Sequence, residues 1–571
     1  MQSRQLMLPA TVAAALLLAL AHTAARADAT PGSAPVTVDQ GPNWTPAIRK
    51  DFYDRDQGAQ LMPLRWMAAL KQPNGEPFLA DSLSRYGYLP NHDSDPPGLP
   101  VGFTVAQGAN GDELGMTCSA CHTRQIEVGG TAYRIDGGPA IVDFQSLLAD
   151  LDTAVDTDLK DSKAFADFAH GVLGSNPSPA EQAQLKKDLE AWFLPYDTLI
   201  QRGLPKDPWG PSRLDAVTMI FNRLTGLDIG PAPTYLIPDN IKRADAPTRY
   251  PFLWNAPVQD KTQWPGFADN GNNILGLARN LGEVYGVFGA FHPKKDFWRL
   301  LGVDYVSHNS ANFSGLNALE DMIKQIGPPK WPWPVDAKLA AAGQAVYNRA
   351  TLQGGCAECH QITPGNAANT WHTPVLDVGT DTHEVQLLKT TVRTGVLQGA
   401  KIPLLTSPLQ PTDTAFNVLS LSVIGAILQH YVPILSNAAQ QQGRAVESPS
   451  AVNPEELKGA FRAPGPAAGA AYESRVLQGI WAAAPYLHNG SVPTLTELLK
   501  PAADRVASFK IGPAYDTVNV GLAVDQTKFD YTLHTTDCGD KDSGNSRCGH
   551  EFGTALSAED KKALLEYLKT L

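Results

Sequence analysis

Four of the six cysteines stand in two matching frames, Cys118-Ser-Ala-Cys121-His122 and Cys356-Ala-Glu-Cys359-His360. Two thiols at i and i+3 followed at once by an imidazole is the attachment spacing of a c-type haem. The thiols form thioethers with the porphyrin vinyl groups, and the histidine ligates iron from the proximal side. A single copy could be a redox dithiol beside an incidental histidine; two copies in a chain with so few cysteines point to haem. A zinc centre would need both pairs to converge on one metal and would leave the adjacent histidines without a role. The expected cofactors are two covalently bound haem c groups, held by Cys118, Cys121, Cys356 and Cys359 with His122 and His360 on iron. A structural Ca²⁺ ion is expected in addition.

The second axial position separates haems capped on both sides, which carry electrons, from haems with an open site, which react. All seven methionines lie at or before Met322. His/Met ligation of the second haem from the chain around it is therefore excluded, leaving His372, His383, His430, His488, His534 and His550. Around the first haem, His170, His292 and His308 have no distinctive context, so an open, reactive iron is expected there. Large aromatics and an Arg/Glu pair follow in Tyr250-Pro-Phe252-Leu-Trp254, Gln263-Trp-Pro-Gly-Phe267 and Arg279-Asn-Leu-Gly-Glu283-Val-Tyr285. These either pack around a porphyrin or act: Trp254 relaying electrons between haems, and Phe267 or Glu283 lining the distal pocket.

These motifs need a framework. Residues 6–21 form an apolar run after Arg4, ending in Ala25-Arg26-Ala27, which reads as a cleaved signal peptide over residues 1–27. No other apolar run is long enough to span a bilayer. The expected location is the periplasm or the exterior, where Cys538 and Cys548 would close a local disulfide. Helical patterns cover residues 143–153, 179–193, 317–326 and 336–349, and Ser557 is placed to cap a final helix. Residues 237–273, rich in Pro, Trp and Asn, read as a long ordered loop. The stretch Gly327-Pro-Pro-Lys-Trp-Pro-Trp-Pro334 reads as a connector, dividing a first haem domain (28–330) from a second (331–571). With 45 Pro, 49 Gly and a net charge of −12, the chain is acidic and loop-rich. No clustered cationic surface exists for nucleic acid.

On these residues the chain resembles the di-haem cytochrome c peroxidase superfamily, and within it the branch of the RoxA-type rubber oxygenases. The pieces that carry the resemblance include Leu99-Pro-Val-Gly-Phe103, Arg134-Ile-Asp-Gly-Gly-Pro139, both haem motifs, Gly479-Ile-Trp-Ala-Ala-Ala-Pro-Tyr-Leu-His-Asn-Gly490 and Gly549-His-Glu-Phe-Gly553. The resemblance implies a mainly α fold of two c-type cytochrome domains with long irregular loops and insertions. It also implies electron exchange between the haems and an open first haem. It places the second ligand shortly before the last helix, which puts His550 first and His534 second, with His488 in a structural role.

The leading function is peroxidase: H₂O₂ is reduced at the His122 haem with Glu283 as acid/base group, and electrons arrive through the His360 haem from an external donor such as a small cytochrome or cupredoxin. The alternative is an oxygenase that binds O₂ beside an apolar substrate such as polyisoprene and cleaves its carbon-carbon double bonds. It calls for an apolar pocket lined by residues such as Phe267. A third reading, an electron-transfer cytochrome without catalysis, needs a sixth ligand for the first haem from His170, His292 or His308.

Overall fold

The computed structural model describes residues 34–108, 111–365, 368–403, 405–432, 435 and 470–571. The expected signal peptide lies outside these residues. Among them, no helix is long and apolar enough to cross a membrane.

The expectation of a mainly α chain is corrected: the fold is 37% helical and 15% strand. The strands form many small sheets, two of three strands and the rest of two. The reason is local. Immediately after the first haem motif, Thr123–Val128 and Thr131–Asp136 pair antiparallel from Thr123↔Asp136 to Val128↔Thr131. Gly129 and Gly130 turn between them with φ of 58° and 83°, the backbone a two-residue hairpin requires. A second hairpin, Phe103–Gly108 with Gly111–Met116, leads into the motif from the other side. The first haem motif is thus framed by hairpins instead of helices.

Several helices follow the sequence signals. Phe144–Lys160 is capped by Asp143, and Pro179–Gly203 opens with a reciprocal capping box between Ser178 and Glu181. The latter runs past Pro195 because Tyr196, Leu199 and Ile200 behind the proline are buried. Two further helices are deeply buried. Ala415–Tyr431 is buried on nearly every face, so its sequence is apolar all round. Asn273–Gly286 is almost as deeply buried, and it carries Arg279 and Glu283 one turn apart.

Among the described residues two separate cytochrome domains are not seen. One apolar cluster joins Phe52, Ile135 and Ile323 to Trp481, Leu564 and Leu568, and another joins Leu281 and Tyr305 to Ile424. Residues 327–334 lack regular structure yet are firmly packed. Trp331 and Trp333 lie against Trp481, whose indole N–H donates to the Pro329 carbonyl at 2.9 Å.

Candidate functional site

The first motif forms a four-residue helical turn, Cys118–Cys121, between the two hairpins. Its backbone lies against Gly102, where a Cβ would come within 2.1 Å of the Ala120 nitrogen. Gly102 also has φ +78°, so both contact and conformation demand glycine. Thr117 N–H donates to the Gly102 carbonyl at 2.8 Å, and Ala140 N–H to the Cys121 carbonyl at 3.0 Å. The turn is therefore pinned at both ends.

His122 Nδ1 lies 2.9 Å from the Pro251 carbonyl. A carbonyl can only accept, so Nδ1 carries the proton and Nε2 keeps a free lone pair, the form a metal ligand needs. Burial pushes the imidazole pKa down to about 4, holding it neutral. His360 repeats the arrangement: Nδ1 donates to the Arg475 carbonyl at 2.7 Å, and burial again lowers its pKa.

His550 stands across from His360, with ring centres 6.2 Å apart. The two imidazoles would hold a metal ion between them from opposite sides. The backbone at His550 has φ 49°, costly for a non-glycine residue. It is held by its own N–H, donating to the Val378 carbonyl at 2.9 Å, and by Arg505, which donates to the Gly549 and His550 carbonyls at 2.8 and 3.2 Å. Burial, then the neighbouring His360 and Arg505, push the His550 pKa down to about 3, and its Nδ1 is buried without a hydrogen-bond partner among the described residues. The expected disulfide, Cys538–Cys548, closes the loop just before it. His534 is exposed on a strand paired with Ser508. His488 stacks on Tyr472 with ring centres 3.6 Å apart.

Each motif borders a cavity. The larger, about 170 Å³, is lined by Cys356, Cys359, His360, His550, Trp264 and Tyr486 among others. The smaller, about 60 Å³, is lined by Cys118, His122, Gln263, Arg279, Asn280 and Glu283 among others. Phe252, Glu473 and Arg475 line both. The donor set fits haem c. The four motif cysteines are not joined in disulfides, and Cys118, Cys356 and Cys359 line the cavities; the motif histidines have Nε2 free. The Arg475 Nη1 is buried without a partner. Arg249 and Arg475 are both buried with Glu473 beside them, an excess of buried positive charge that the two propionates of a haem would offset. Among the described residues no group of three or more His, Cys, Asp or Glu side chains is gathered to hold a metal ion, so no site for the expected Ca²⁺ is identified.

The structure brings some of the expected residues together and leaves others apart. Glu283 lines the His122 cavity, partly buried, and accepts from Gln263 Nε2 at 3.0 Å. Burial raises its pKa against the opposing pull of Arg279 and Gln263. Arg279 is itself engaged by Glu320 and by Asn270. Phe267 packs edge-on against Phe416, ring centres 5.5 Å apart, and does not line that cavity. Trp254 lies behind both cavities, stacked on Phe252 at 4.6 Å, with its N–H on the Gln478 carbonyl. His170, His292 and His308 do not line the His122 cavity either. Sequence reading missed Arg475, Glu473, Arg505 and the Pro251 carbonyl. The first three are charged residues without a motif, and a carbonyl has no sequence signature.

A model of the "RoxA-like, cytochrome c-like" family matches residues 471–510, the stretch holding Arg475 and Tyr486. The chain is 30% identical to the uncharacterized protein y4iJ of Sinorhizobium fredii (strain NBRC 101917 / NGR234), over 93% of this chain and 92% of that protein. It is 25% identical to the uncharacterized protein y4iM of the same organism, over 57% of this chain and 64% of that one.

Proposed function

The chain belongs to the family of the Sinorhizobium protein y4iJ and carries a RoxA-like cytochrome c segment, the mark of a haem-type oxidoreductase, and from there we propose that it is an exported di-haem peroxidase. Haem c bound through Cys118, Cys121 and His122 supplies the iron at which H₂O₂ is reduced, and a second haem c on Cys356, Cys359, His360 and His550 stores electrons. An external donor, a small cytochrome or cupredoxin, supplies two electrons for each H₂O₂, which with two protons becomes two waters.

The observation that carries this reading is Glu283. A partly buried carboxyl with raised pKa in the His122 cavity can take a proton from one peroxide oxygen and return it to the other. Gln263 fixes its orientation by the 3.0 Å hydrogen bond. The oxygenase alternative would draw on Phe267 at the iron, and Phe267 packs on Phe416 instead.

The test is to load the protein with haem and compare H₂O₂-dependent oxidation of a reduced donor with O₂ uptake over a polyisoprene emulsion. The expected result is the first activity alone, reduced roughly 100-fold or more in Glu283→Gln. O₂ uptake without peroxidase turnover would overturn the reading.

A further inference from the structure

The hairpin following Pro293 exchanges the usual places of charged and apolar side chains. Lys294–Lys295 and Val303–Asp304 pair antiparallel at its base. At its tip Phe297, Trp298 and Leu300 are 88%, 96% and 65% exposed, whereas Arg299 between them is only 6% exposed. Arg299 is turned inward onto Asp304 at 2.9 Å and Ser307 at 3.1 Å. The turn is closed by Asp296 N–H to the Gly302 carbonyl at 3.0 Å and Gly302 N–H to the Arg299 carbonyl at 2.8 Å. Trp298 N–H donates to Asp296 Oδ1 at 3.0 Å. A built turn that buries a guanidinium and displays three large apolar side chains runs against the hydrophobic effect, unless water is not the tip's working surroundings. Phe297 and Trp298 are the aromatic residues among the exposed large hydrophobics of the described chain.

Charge identifies the surroundings. Lys294 and Lys295 are both exposed directly behind the aromatic tip, on a chain whose net charge is −12. An anionic bilayer repels most of such a chain and attracts this corner. Aromatic rings settle at the boundary of headgroups and acyl chains, with lysines one step behind at the phosphates. A protein partner would need a broad patch, about 800 Å² on each side, and a single projecting turn offers far less. We propose that the tip formed by Phe297, Trp298 and Leu300, with Lys294 and Lys295, is a peripheral docking site for the surface of an anionic phospholipid bilayer.

The test is cosedimentation of the full haem-loaded chain with vesicles of phosphatidylglycerol and phosphatidylethanolamine, beside vesicles of phosphatidylcholine alone. Binding to the anionic vesicles, weakened by salt, is expected, with a blue shift of tryptophan emission. Phe297→Ser with Trp298→Ser should lower the partition coefficient roughly tenfold or more. Lys294→Gln with Lys295→Gln should lower it several-fold on anionic vesicles only. Arg299 is kept throughout, and unchanged haem absorption shows that each variant is folded. Absence of vesicle binding by the unmodified chain, or unchanged binding by the Phe297/Trp298 variant, overturns the proposal. So does a tip variant that loses oxidation of a protein donor while the unmodified chain ignores vesicles, which would make the tip a protein contact.

Discussion

The Arg475 guanidinium lies 3.9 Å from the centre of the Phe252 ring, and the two residues join the cavities from opposite sides. Pro251, next to Phe252, accepts from His122, while the carbonyl of Arg475 itself accepts from His360. The two proximal imidazoles are thus oriented by one contact pair. Arg475 also donates from Nη2 and Nε to Gln259 Oε1 at 2.6 and 3.0 Å, which fixes its plane over the ring.

With a haem held at each motif, as proposed, removing this buried cation should act on both. A positive charge nearby favours the reduced form, so Arg475→Met should lower both reduction potentials, by roughly 50 mV or more, the scale of a unit charge at several ångströms through an effective dielectric near 20. Arg475→Lys keeps the charge but not the planar stack, and should restore most of the shift while still slowing electron equilibration between the haems. Spectroelectrochemistry and flash reduction measure the two effects. A shift confined to one haem would refute the shared contact.

His550 should be separable from the other histidines by spectrum alone. His550→Ala leaves the His360 haem without a second imidazole and should convert it from low spin to high spin, whereas His534→Ala should change nothing, because His534 is exposed on a strand edge. Electron paramagnetic resonance of the oxidised protein decides between them. A low-spin His550→Ala variant would move the ligand elsewhere.

Much of this centre was legible in the sequence, and the illegible part has a physical cause. Covalent attachment imposes fixed spacing, so Cys118 to His122 and Cys356 to His360 announce themselves. Exclusion of methionine and position before the last helix led to His550, which the fold sets opposite His360. Phe267 packs on Phe416, as an aromatic residue in a loop packs on a neighbour as readily as on a cofactor. The hairpin after the first motif has a local signal in Val128-Gly-Gly-Thr131, where two glycines supply the positive φ of its turn. Helix Ala415–Tyr431 escaped because complete burial erases periodicity. Arg475 and Glu473 are recognised only when two distant segments meet.

Alkaline pH should loosen the loop that leads to His550. His383 bridges Asp245 at 2.8 Å and Asp542, inside the disulfide loop, at 3.1 Å. The Asp245 hydrogen bond, opposed by burial and helped by Asp542, raises its pKa to about 9. Since the folded value lies above the unfolded one near 6.5, the stabilisation is full below about pH 6.5 and is lost as pH rises through 9. Both carboxylates are half exposed, so solvent screening leaves about 1 kcal/mol. Thermal unfolding should show Tm falling by a few degrees between these pH values, and His383→Asn should flatten that fall. An equal fall in the variant would place the pH dependence elsewhere.

Gly343 offers a test in which two simple rules give opposite signs. It sits in helix Ala337–Tyr347, which crosses the final helix Ala558–Leu568, and Arg349 fixes their register through paired bonds to Asp560 at 2.7 and 3.1 Å. Helix propensity alone favours Gly343→Ala by about 1 kcal/mol. The new Cβ, however, would lie 1.9 Å from the Ala563 carbonyl oxygen and 2.5 Å from its carbon. Backbone cannot rotate aside as a side chain can, so the helices must separate along a contact that also carries Val346 and Leu564. Overpacking of this kind costs about 1–3 kcal/mol, and with backbone as the obstacle the upper part of that range applies. Gly343→Ala should therefore lower the denaturation midpoint and broaden the spectrum of the His360 haem, whose attachment site follows this helix directly. A variant as stable as the parent would mean that the crossing is looser than a glycine contact requires.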